Sequence, residues 1–181
     1  MLDKKMLKEL NQQIQEETYS SYIYLAMAAW LEENGYKGMA TWMRVQAREE
    51  KVHADIFYNY IMERGGHVKL EAIDAPPDSW ESPLELFKAA LSHEEHITGR
   101  INHMVDVSME VKDHATYQML QWFVEEQVEE EANVGEAVQQ LSIVGSEGRG
   151  LLMVDREMGT RVFSLPTSAP WYPKSGQPAA A

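Results

Sequence analysis

Cysteine is absent from the 181 residues. That excludes disulfides, thiolate-bound metals, iron–sulfur clusters and cysteine nucleophiles, and it suits a reducing, cytoplasmic setting. Long apolar runs are missing as well. The longest, Tyr22 to Leu31, falls far short of the roughly 20 residues of a membrane-spanning helix, so no membrane partner is expected. The opening Met1-Leu2-Asp3-Lys4-Lys5 leads into an amphipathic pattern without the apolar segment of a signal peptide. Basic charge is scarce: 16 Lys and Arg stand against 29 Asp and Glu, for a net charge of −13. Nucleic-acid binding is driven by basic surfaces, so no nucleic-acid partner is expected either. Acidity of this kind is either a solvated surface or an attractor of cations. What remains, with 44% hydrophobic residues, is enough for one domain with a real core.

What is present is a repeated interruption. Stretches with apolar residues at helical spacing each carry, near the midpoint, a carboxylate or another ligand-type side chain. The first runs Leu7, Leu10, Ile14, Glu17, Ser21, Tyr24, Ala28, Leu31; the second Met39, Met43, Gln46, Glu50, His53, Phe57, Tyr60. The third runs Leu84, Phe87, Leu91, Glu94, Thr98, Ile101, Val105; the fourth Leu120, Phe123, Gln127, Glu130, Val134, Ala137, Leu141. Steps of three and four keep each set on one helical stripe. Glu17, Glu50, His53, Glu94, Gln127 and Glu130 therefore point where a core belongs. An unpaired charge buried there costs several kcal/mol, on the order of what a whole side chain gains by burial. Bound divalent cations resolve the conflict for all of them together.

The punctuation of the chain sets the topology. Asp3 caps a first helix reaching about Glu33, and Asn34-Gly35 stops it. A second runs from about Gly38 to Arg64, before Gly65-Gly66. Residues 67–81 have no helical period and contain Pro76-Pro77. Ser82-Pro83 with Glu85 predicts a capping box opening a third helix to about Lys112. Asp113 caps a fourth to about Val144, and Leu151 to Met158 suggests a short fifth. Short turns make helices one and two, and three and four, antiparallel neighbours. The long connection can run the length of the bundle, making helices two and three parallel. The expected fold is all-α: a four-helix bundle spanning residues 1–160, with one long crossover and a short fifth helix. Residues 161–181, with Pro166, Pro170, Pro173 and Pro178, should be an irregular tail.

Antiparallel packing brings the midpoint ligands to one level. Di-iron carboxylate bundles place one Glu on each of two helices and Glu-x-x-His on the other two. Here Glu17 and Glu94 match the single glutamates, and Glu50-Lys51-Val52-His53 matches one Glu-x-x-His. The second motif is altered to Gln127-Val128-Glu129-Glu130. Together with Glu16-Glu17-Thr18-Tyr19-Ser20-Ser21, Arg48-Glu49-Glu50-Lys51-Val52-His53-Ala54 and the segment Gln121 to Glu131, these residues resemble the non-haem ferritins of the prokaryotic type. The resemblance runs from Met1 to about Met158.

The resemblance implies an iron-storage protein with ferroxidase activity. It places a first iron on Glu17, Glu50 and His53. A second falls on Glu50, Glu94 and the weaker ligand Gln127, with Glu50 bridging. A third iron would use Glu49, Glu126, Glu129 and Glu130. It gives Tyr24 a hydrogen-bonding and redox role, against the plainer reading of Tyr24 as amphipathic core. The implied substrates are Fe(II) and dioxygen or peroxide. The implied assembly is a homo-oligomeric cage of about 24 subunits. Haem-binding relatives carry a symmetric pair of motifs and a haem-ligating Met; with Val52 and Glu130 in this chain, no haem is expected. The alternative is a di-iron oxidase or peroxidase of the rubrerythrin-like type that does not store metal.

Overall fold

The computed structural model describes residues 2–145 and 148–165. Its helices are α1 (Lys4–Glu33), α2 (Lys37–Glu63), α3 (Pro83–Glu110), α4 (His114–Val144) and α5 (Gly148–Met158). The long helices begin and end within a few residues of where the punctuation puts them, and α5 starts earlier than expected. Residues 161–165 have no regular secondary structure, and the prolines of the expected irregular tail lie outside the described residues.

The caps act as their chemistry requires. Asp3 accepts the Lys5 amide at 2.7 Å, and Asp113 accepts that of Thr116 at 3.1 Å. Asp113 also takes both oxygens to the Arg64 guanidinium at 3.1 Å, fastening the end of α2 to the start of α4. The Ser82 hydroxyl accepts the Glu85 amide at 3.2 Å behind Pro83. The Glu85 carboxylate pairs instead with Lys88 at 2.9 Å. Only the serine half of the expected capping box is therefore present, because an ammonium one turn along competes for an exposed carboxylate.

The crossover lies along α1. Asn11 donates to the carbonyl of His67 at 3.1 Å and accepts the amide of Lys69 at 2.6 Å. Gln15 donates to the carbonyl of Ala72 at 2.5 Å, and farther along Trp80 meets Trp30 edge-on. Contact thus advances up α1 as the linker proceeds. The linker returns the chain to the end of the bundle where α2 began, and α3 runs parallel to α2.

The core is divided. One apolar cluster gathers Tyr24, Met27, Leu31, Met39, Met43, Phe87, Val134 and Leu141. The other gathers Met6, Leu10, Ile14, Phe57, Ile61, Ile101, Met104 and Phe123. Each large side chain buried this way is worth about 1.5–3 kcal/mol. Between the clusters is a polar level made of Gln13, Glu17, Gln46, Glu50, His53, Glu94, Gln127 and Glu130, all buried. Two apolar blocks hold four helices in register around a charged layer.

Helix α5 seats on its own bundle, across the start of α2. A Cβ at Gly38 would lie 1.6 Å from the Asp155 carbonyl oxygen, so only glycine permits this approach. The Asp155 carboxylate accepts the Met39 amide at 2.9 Å, supplying the cap that Tyr36, at the head of α2, does not provide.

Candidate metal centre

The four central helices deliver the expected ligands to one place. Oxygen and nitrogen atoms of Glu17, Glu50 and His53 lie within 4.8 Å of one another. So do those of Glu50, Glu94 and Glu130, and those of His53, Glu126 and Glu130. The groups share members: Glu50 links the first two, Glu130 the last two, and His53 the first and third. The heptad spacing explains the levels, since each ligand sits mid-helix between the same two apolar clusters.

Neighbours pin these carboxylates from outside. Gln13 donates to Glu17 at 2.9 Å. Gln46 donates to Glu50 at 3.2 Å and to Glu130 at 2.5 Å. Tyr24 donates its hydroxyl to one oxygen of Glu94, and Gln127 reaches the other at 3.3 Å. His53 Nδ1 lies 3.2 Å from Glu50, while its ring is met edge-on by Trp122 and Phe123. The second oxygen of Glu17 is buried with no hydrogen-bond partner among the described residues. A buried, unpartnered carboxylate oxygen is costly, and it is what a ligand atom looks like before its cation arrives. The donor set, carboxylates with one imidazole, suits borderline and hard divalent cations.

Burial drives the electrostatics. It raises the pKa of Glu17 and Glu130, and raises Glu50 well above the ordinary carboxylate range with help from the Glu94 charge. Glu94 is pushed up to about 8 by burial and then by Glu130. Burial alone would lower His53, but Glu50, Glu126 and Glu17 outweigh it and hold its pKa well above the usual value. Tyr24 is raised well above its ordinary value by burial and by Glu94, so it stays a phenol that donates. Like charges in a dry layer hold protons until a cation replaces them.

The sign of the resulting pH dependence is definite. These raised carboxyls, and His53, bind protons more tightly folded than unfolded. Their contribution to the stability of the metal-free protein is fully present below the ordinary carboxylate pKa of 4.5 and is lost as pH rises through the folded value, about 8 for Glu94. With chelator present, raising pH from about 5 to about 8 should lower the thermal midpoint, the loss amounting to a few kcal/mol in order of magnitude. Added Zn(II) should flatten the profile, because it takes the place of the protons. A chelated protein whose midpoint is level or rises across that range would contradict the protonated, coupled layer.

The third group differs in composition from the set the resemblance implies. Glu126 and Glu130 converge with His53, and His53 Nε2 stands 3.8 Å from Glu126. Glu49 is largely shielded and held at 2.5 Å by Arg161. Its pKa is about 7, raised by burial while Arg161 works in the opposite direction. Glu129 is exposed and belongs to none of the three groups. The sequence pattern does not mark Gln13, Gln46, Thr98 or Arg161 as site residues. Gln13 and Gln46 each lie one turn before a seam glutamate, which was the available signal. Thr98 accepts from Gln127 at 3.2 Å and donates to Glu131 at 2.5 Å. Nothing in the pattern marks Arg161, which reaches the site only through the seating of α5.

A four-helix bundle with paired carboxylate groups at its midplane, one long crossover and a short fifth helix defines the class of di-metal carboxylate bundles. Comparison narrows this further. A family model for the ferritin-like domain matches residues 7–144, and the chain belongs to the ferritin family. It is similar to a bacterial non-heme ferritin of Staphylococcus aureus strain MRSA252, 39% identical over 163 residues, or 90% of this chain and 98% of that one. The non-heme ferritin of Staphylococcus saprophyticus is 38% identical over the same shares. Among solved structures, an open-pore ferritin of the archaeon Archaeoglobus fulgidus superposes with a TM-score of 0.88 at 45% identity, covering 89% of this chain and 98% of that chain. A form of that ferritin engineered to be closed gives 0.89 at 44%, covering 91% and all of that chain. Among the described residues, no helix is long and apolar enough to cross a membrane.

Proposed function

We infer that this chain stores iron, oxidising Fe(II) at its midplane centre and passing Fe(III) to a mineral inside a closed homo-oligomer. The observation that carries this reading is the sharing of Glu50 between two buried ligand groups. In this reading Glu17, Glu50 and His53 hold one Fe(II), and Glu50, Glu94 and Glu130 hold its neighbour, with Gln127 tethering Glu94. Paired cations about 3.5–4 Å apart can each give one electron to a single oxygen species. Dioxygen or peroxide is the acceptor. Glu17, Glu50, Glu94 and Glu130 carry the charge to balance two divalent cations, releasing their protons as metal enters. Gln127 is a poorer ligand than a carboxylate or imidazole. With Gln127 only tethering Glu94, the second position has no imidazole and is the leakier of the two, which suits iron in transit. Glu126 and Glu130 furnish a third iron position, with Glu49 and Glu129 beside it. The assembly proposed is a cage of about 24 subunits in the cytoplasm. Residues 1–160 form its ferritin-like unit and 161–181 an appended tail.

Native mass and iron loading together test this. A particle of about 24 chains taking up far more iron than roughly three per chain is the expected result. A dimer saturating at about two per chain would favour the non-storing oxidase instead.

A further inference from the structure

The seating of α5 places one cation at the edge of the metal layer. Arg161 lies two residues after Gly159, whose backbone rests against Gly38. From there the side chain runs down α2. Its guanidinium stacks over the Trp42 ring at 4.3 Å from the centroid. One amino group donates to Gln46 Oε1 at 2.7 Å, and the other to Glu49 Oε2 at 2.5 Å. Both Arg161 and Glu49 are about four-fifths shielded, with side-chain exposures of 20% and 19%.

Two consequences follow from the donor chemistry. Arginine has donors and no acceptor, so Gln46 must turn its oxygen toward Arg161. Its amide nitrogen is then committed to Glu50 and Glu130. Glu49 is in turn drawn onto Arg161, and it is absent from the group formed by His53, Glu126 and Glu130. A permanent positive charge occupies the flank where an additional metal cation would call on Glu49.

We propose that Arg161 is a positioning residue that serves as a built-in placeholder cation: it neutralises Glu49 and fixes Gln46 until a third divalent cation displaces it, so that the third position fills last and weakly. The inference rests on the reading of a third iron position given above. Charge is the operative property. Metal and guanidinium compete for the same carboxylate, and the stack on Trp42 keeps the guanidinium near enough to return when the metal leaves.

The test is anaerobic Fe(II) titration of the assembled full-length protein by calorimetry, comparing wild type with R161Q and R161K. Removing the competing charge should tighten the last of the roughly three Fe(II) steps about tenfold in R161Q. R161K keeps the charge and should bind that Fe(II) within about threefold of wild type. An additional step present only in R161Q would equally support the placeholder. Three steps in every protein with unchanged last affinity would overturn the placeholder while leaving the third position standing. Only two steps in every protein would remove the third position and the placeholder with it. Equal tightening in R161K and R161Q would also overturn the proposal, because loosened packing of the segment after α5, not charge, would then be responsible.

Discussion

Glu50→Ala should abolish rapid Fe(II) oxidation while leaving a folded bundle. Glu50 is the carboxylate common to the groups with Glu17 and His53 and with Glu94 and Glu130, so its loss strips a ligand from both positions. Residues that merely orient a metal ligand cost about 10–100-fold when removed, and a bridging ligand should exceed that. Stability should move the other way. Burial and the neighbouring Glu94 charge hold Glu50 well above the ordinary carboxylate range in the metal-free protein. Taking it out relieves both penalties, so the chelated mutant at about pH 8 should melt no lower than wild type. Stopped-flow oxidation at wild-type speed would refute the shared-ligand centre.

The second large effect is a contrast between two neighbours. His53→Ala should weaken the first Fe(II) to bind by about a hundredfold, because it removes the one imidazole. Gln127→Ala should leave that step alone and weaken the next by only a few-fold, about 1 kcal/mol. The physical reason is the difference in their contacts. His53 lies in two ligand groups, whereas Gln127 spends its amide nitrogen on Glu94 and Thr98. Anaerobic Fe(II) titration separates the steps. Comparable losses in the two mutants, at the same step, would show that Gln127 is a ligand of equal rank.

The single-crossover bundle and the inward-facing carboxylates, His53 and Gln127 were legible because each depends on periodicity and punctuation. A seam that accepts Leu10, Ile14, Tyr24 and Leu31 cannot place Glu17 anywhere but inside, whatever the partner helix. The same logic held for Glu50, His53, Glu94, Gln127 and Glu130, all buried as their spacing required. Tyr24 is open to two readings: its ring is buried in the apolar core, and its hydroxyl donates to Glu94.

Residues on the flank of a seam were different. Glu49, Glu126 and Glu129 sit at helix positions that are equally compatible with solvent and with a neighbour, and periodicity cannot choose. Their fates diverge: Glu126 approaches His53, Glu49 is taken by Arg161, and Glu129 is exposed.

What the sequence determined by itself was therefore the helices, their order and the polar side chains facing inward, because local spacing and capping set these one helix at a time. What only the tertiary structure decided was which carboxylates converge within 4.8 Å and which are already claimed by other partners. That depends on α5 crossing the start of α2 at Gly38 and carrying Arg161 to Gln46 and Glu49, residues more than a hundred positions away along the chain. Contacts of such sequence separation leave no periodic signal, since nothing in the spacing of either segment refers to the other.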